Sequence, residues 1–100
     1  MNEPDREGMI SPGDVPWFPK ENFDGYLWGK ESCVWISLIE SKNPGQGNLS
    51  RLFSTILSQG RTIKVPTPFA HMETILRHKG FIREDEETIH GPCETWIKKP

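Results

Sequence analysis

Leu49, Leu52, Phe53, Ile56 and Leu57 recur at i, i+3, i+4, i+7 and i+8, the spacing of one helix face. Asn48 is a good N-cap for that helix and Gly60 a good stop. A second helical run buries Phe69, Met72, Ile75 and Leu76, with Thr67 as its cap, Pro68 at its first position and Gly80 at its end. Ahead of these, the aromatic run 23–29 and the apolar run 33–41 read as two strands joined by a tight hairpin. In the second run Val34, Ile36 and Leu38 share one face, and Cys33, Trp35 and Ile39 the other. A strand apolar on both faces belongs near the centre of a covered sheet. Residues 61–65 predict a short strand, and Thr95, Trp96 and Ile97 a last one. The order is β-β-loop-α-β-α-β, a mixed α/β chain.

Residues 1–20 carry Pro4, Pro12, Pro16 and Pro19 with Gly8 and Gly13, which predicts an arm without a regular helix or strand. Its apolar stretch 15–19 is expected to pack on a single domain formed by residues 21–100. The acidic run 83–87 reads as a solvated turn. Across the 100 residues 34% are apolar and 26% charged, a lean composition that still supports one small core. Trp17, Trp28, Trp35 and Trp96 help to fill it, since each large ring buries roughly 150–250 Å². A net charge of −2 with scattered basic residues gives no footprint for nucleic acid. No apolar stretch has the ~20 residues that span a bilayer, and the N-terminus is no signal peptide. Cytoplasm is therefore the expected compartment, with Cys33 and Cys93 as buried thiols rather than a disulfide.

The segment "KNPGQGNLSRLF" at 42–53 carries the most chemistry. A glycine-rich turn from a strand into a helix can aim backbone N–H groups at phosphate, helped by the helix dipole. Neither a Walker loop nor a dinucleotide fingerprint is present, because GxGxxG lacks its third glycine after Gly45 and Gly47. The plainer alternative is a connecting loop in which Pro44 and Gly45 make a turn. Glu40 and Glu31 are candidate general bases or ordinary surface carboxylates. His71 and His78, seven apart on one helix, face a groove or simply solvent. His90, Cys93 and Cys33 lack the spacing of a metal site, so no metal is expected.

The run from Leu38 to Phe81, "LIESKNPGQGNLSRLF…ILSQGRTIKVPTPFAHMETILRHKGF", resembles the acetyl-CoA-binding half of the Gcn5-related N-acetyltransferases. The landmarks are a glycine loop opening a helix after a central strand, and the pair Gly80-Phe81 closing the next helix. The resemblance covers roughly residues 33–97. It implies a mixed, mainly antiparallel sheet with helices packed on it, in which one strand splays away to admit the pantetheine arm. It also implies that the backbone of Gly45, Gln46, Gly47, Asn48 and Leu49 binds the pyrophosphate of acetyl-CoA. Ile39 and Ser41 would pair with pantetheine, and Glu40 would serve as base toward an amine acceptor.

Departures from the family pattern are specific. Its Q/R-x-x-G-x-G/A loop falls on Pro44, Gly47 and Leu49, or, shifted by two, on Lys42, Gly45 and Gly47. Leu76 stands where a tyrosine acid is common, and Phe69 near a usual asparagine. The arm replaces the first strand and the helices that shape the acceptor site. A non-catalytic interaction protein on the same scaffold, of the small phage-encoded kind, is therefore the alternative, with a homodimer or another protein as partner. A ferredoxin-like sheet is a third reading, in which the glycine loop merely connects. The test between them is whether strand 61–65 splays from strand 33–41.

Overall fold

The computed structural model describes residues 8–30, 32–43, 45–89 and 91–100. Six strands share one sheet: β1 (Gly8–Ile10), β2 (Phe23–Lys30), β3 (Cys33–Ser41), β4 (Thr62–Pro66), β5 (Ile82–Thr88) and β6 (Gly91–Lys98). Their spatial order is β1-β2-β3-β4-β6-β5. Helix α1 (Asn48–Ser58) links β3 to β4, and α2 (Ala70–His78) links β4 to β5. β3 and β4 pair in parallel, and the remaining neighbours pair antiparallel. The chain is thus a small α+β domain with a mixed, mostly antiparallel sheet and two helices.

Both helices cover the same face of the sheet. Leu52, Phe53 and Ile56 of α1 and Leu76 of α2 are buried in one cluster with Leu27, Val34, Ile36, Ile63, Val65 and Trp96. Alternation along each strand sends these sheet residues to one side. Ile10, Val15 and Phe18 join the same cluster, so the apolar part of the N-terminal segment is core. Phe53 stacks on Phe81 with ring centroids 5.3 Å apart. Both helices end at a left-handed glycine, Gly60 (φ 80°) and Gly80 (φ 85°). After α2 the Phe81 N–H donates back to the Leu76 carbonyl at 3.0 Å, which ties the helix end to the core.

One irregularity positions the site. β2 pairs Leu27 with Ile36 but Tyr26 with Leu38, so Ser37 is an extra residue in β3, a bulge. The bulge resets the alternation. Ile39, expected beside Cys33 and Trp35, instead packs against the core cluster on the helix face. Just there β4 departs: it pairs with Cys33, Val34 and Trp35 of β3 and then follows β6 through Pro66. From Ile36 onward β3 has no partner on its β4 side among the described residues.

Several local expectations are corrected. Gly8–Ile10 forms a short strand despite the proline-rich surroundings, because β2 offers an edge before Pro12 intervenes. The acidic run 83–87 is not a turn but the middle of β5, paired along its length with β6. An edge strand tolerates, and is protected by, such charge. β6 begins at Gly91 rather than near Thr95. Gly47, not Asn48, is the N-cap of α1, and Phe69, not Thr67, is that of α2. Phe69 is 81% exposed rather than buried, and Trp28 is 45% exposed rather than core. Cys33 and Cys93 are free thiols, half-buried rather than buried. Among the described residues no helix is long and apolar enough to cross a membrane.

Candidate ligand-binding cleft

Where β3 and β4 part, a cleft of about 760 Å³ opens between the C-terminal half of β3, the start of α1 and one side of α2. This lies within the ~300–1,000 Å³ typical of small-molecule sites. Ile39, Leu49, Phe69, Met72 and Ile75 give it apolar walls. Their helical periodicity explains why Phe69, Met72 and Ile75 read as core in the sequence: the face is apolar, but it borders a cleft. His71 and His78 also line it, and both are exposed to solvent.

The loop into α1 forms the other wall. Gly45 (φ 88°) and Gly47 (φ 75°) are both left-handed, a conformation that glycine adopts without strain. The first hydrogen bond of α1 runs from the Arg51 N–H to the Gly47 carbonyl at 3.0 Å. The N–H groups of Asn48, Leu49 and Ser50 therefore lie in the first turn, where helix geometry supplies no acceptor. No side chain caps them and no acidic residue stands in that turn. Cationic groups surround it instead. Arg51 Nη2 donates to the Gln46 carbonyl at 3.1 Å and to Asn48 Oδ1, which holds the loop closed. Lys79 Nζ donates to Ser50 Oγ, and Lys98 Nζ to the Lys79 carbonyl.

The expected site residues divide as follows. Ile39, Ser41, Gly45, Gly47, Asn48 and Leu49 come together around the cleft. Leu49 does not overhang the loop, since it packs half-buried against the core. Asn48 is buried and turned to Arg51. Gln46 is exposed and contributes its carbonyl to the loop rather than a side chain to the cleft wall. Glu40 lines the rim. Its register partner is Asp24, which puts it on the alternation opposite to Ile39 and Ser41. No hydrogen bond or ion pair orients it among the described residues. Leu76 is fully buried. Pro44, Glu31 and His90 lie outside the described residues.

Ser50, Thr74 and Lys79 were not legible as site residues. Lys79 reaches Ser50 across 29 positions of sequence, and only the fold brings the end of α2 to the first turn of α1. In comparisons with known proteins the chain matches no family model, no curated protein and no solved structure.

Proposed function

We propose that the cleft binds acetyl-CoA and that the chain transfers the acetyl group to an amine, on a scaffold of the Gcn5-related N-acetyltransferase kind. The observation that carries this reading is the parting of β3 and β4 after three residue pairs, with the cleft beside the C-terminal end of β3 that β4 leaves unpaired. The strand order and the glycine loop entering α1 accord with it. The unpaired side of β3 from Ile36 to Ser41 offers backbone donors and acceptors to a ligand with amide groups, as strand addition does. Pantetheine carries two such amides. The apolar walls from Leu49, Met72 and Ile75 suit its methylene stretches. The first-turn N–H groups of α1, with Lys79 beside them, suit a diphosphate.

The thioester supplies an acyl carbon already activated toward amines, so the protein's work is mainly placement. Backbone groups of β3 hold the acyl end at the bulge. An amine approaching there forms the C–N bond as the C–S bond breaks. The amine proton passes to a base, for which Glu40 at the rim is the candidate, and the departing thiolate takes a proton from solvent. Leu76 occupies the position from which related enzymes often supply that proton. A leucine has no proton to give there, which favours a second reading, in which the chain binds the ligand or a protein without turnover.

Calorimetric titration with acetyl-CoA tests the site. We expect micromolar binding, about −8 kcal/mol. Gly47→Asp combines a side chain at φ 75° with a negative charge at the loop, and should weaken binding at least tenfold. Undiminished affinity in that variant refutes the loop assignment, and no heat with the unaltered chain refutes the proposal.

A further inference from the structure

The sheet face opposite the helices is uncovered by any described element, and it is aromatic. Following the register across the sheet, Met9 stands beside Trp28, Trp28 beside Trp35, Trp35 beside Lys64, Lys64 beside Ile97 and Ile97 beside Ile82. Met9 is 53%, Trp28 45% and Ile82 66% exposed. Tyr26, two residues from Trp28 on the same face, is also exposed. The exposed residues fall in two groups, Met9, Tyr26 and Trp28 on β1 and β2 and Ile82 on β5, with the half-buried Trp35 and Lys64 and the buried Ile97 between them. An exposed aromatic group of this kind on a small domain marks an interaction surface.

We propose that this face is the interface of a two-fold dimer of the chain, each sheet packed on its copy with the strand directions reversed. The charges favour a second copy over an unrelated partner. Lys30 stands at one end of the face. Asp24 and Glu40 stand together at the other, where Lys42 already pairs with Asp24 at 3.7 Å, so that this end carries one net negative charge. A two-fold axis crossing the strands between Tyr26 and Trp28 brings Lys30 over the partner subunit's Asp24, and Trp28 over the partner subunit's Tyr26. Every such contact occurs twice, as an isologous interface requires. Near the centre, Lys64 is already neutralised by Glu86 at 3.1 Å, and its ammonium lies 4.9 Å from the Trp35 ring. That pair enters the interface without an uncompensated charge. Glu84 sits on the outermost strand, at the rim. The 40 strand residues, at ~3.3 Å each and ~4.8 Å between strands, give a face of roughly 630 Å². This approaches the ~800 Å² per partner of a standard interface.

Sedimentation equilibrium with charge-reversed chains tests the arrangement. The unaltered chain should sediment at twice its monomer mass at tens of micromolar. Lys30→Glu alone and Asp24→Lys alone should each weaken the dimer at least tenfold, because each sets like charges against each other at both ends. Mixing the two variants should restore a dimer, since both ends of the mixed pair are again complementary. Circular dichroism checks that these exposed substitutions leave the fold intact. A monomer at 100 µM overturns the proposal. So does a dimer indifferent to both reversals, or a mixture that fails to associate. Assembly only with a different protein overturns the choice of a second copy.

Discussion

Thr67 has φ 42°, the left-handed region in which a β-branched side chain is strained. The sequence assigns it as the cap of α2, but it stands two residues before the observed cap, Phe69. Its N–H is committed to the Glu94 carbonyl at 2.8 Å, closing β4 against β6, and its hydroxyl lies 3.5 Å from Cys93 Sγ. The strain sits beside the cleft, at the turn that sends the chain from β4 into α2. Replacing Thr67 by Asn keeps the backbone bond and adopts this conformation more readily. We expect Thr67→Asn to raise stability by about 1 kcal/mol, read as a higher denaturant midpoint at unchanged slope. An unchanged or lower midpoint means that the hydroxyl contact outweighs the strain. The same residue illustrates what a sequence can convey. Gly60 and Gly80 were readable as helix ends because the backbone requirement there is local. The cap of α2 was not, because Thr67 answers to β6, a partner 27 residues further on.

Among the elements, α1 is the one whose sequence and structure agree most closely, since its apolar face needs only its own periodicity to be seen. Yet its first turn is unfinished as a helix: the cap is a left-handed glycine and no carboxylate complements the dipole. Adding one is a direct test of whether that lack serves binding. Ser50 is exposed in this turn and already receives Lys79. Ser50→Glu should stabilise the chain by about 0.5–1 kcal/mol through dipole and ion pair. The same change should weaken acetyl-CoA binding at least tenfold, by placing negative charge at the proposed diphosphate site. Stability measured by urea unfolding and affinity measured by calorimetry should therefore move in opposite directions. If both rise, the start of α1 is not the anion site. β5 shows the opposite relation between sequence and element. Nothing in 83–87 resembles a strand, and only pairing with β6 makes it one. The bulge at Ser37 was equally hidden, although it decides which face Ile39 joins.

Apart from Glu40, which stands at the cleft rim and on the opposite face beside Asp24, the sheet separates two surfaces: the cleft on the helix side and the aromatic face on the other. Ligand binding and self-association then act as independent linkages on unfolding. At a ligand concentration of 100 times Kd, a single site adds ~2.7 kcal/mol to stability. For a domain of this length that corresponds to a rise in Tm of about 10 to 20 °C. Dimerisation instead makes Tm climb with protein concentration, without ligand. Thermal unfolding of the unaltered chain should show both dependences. Lys30→Glu should remove the dependence on protein concentration and leave the acetyl-CoA shift nearly intact, because Lys30 lies on the face away from the cleft. Gly47→Asp should do the reverse. If Lys30→Glu abolished the ligand shift as well, β3 would have to transmit between its two faces. The point of transmission is then the bulge at Ser37, where the alternation of the strand changes and β4 turns away.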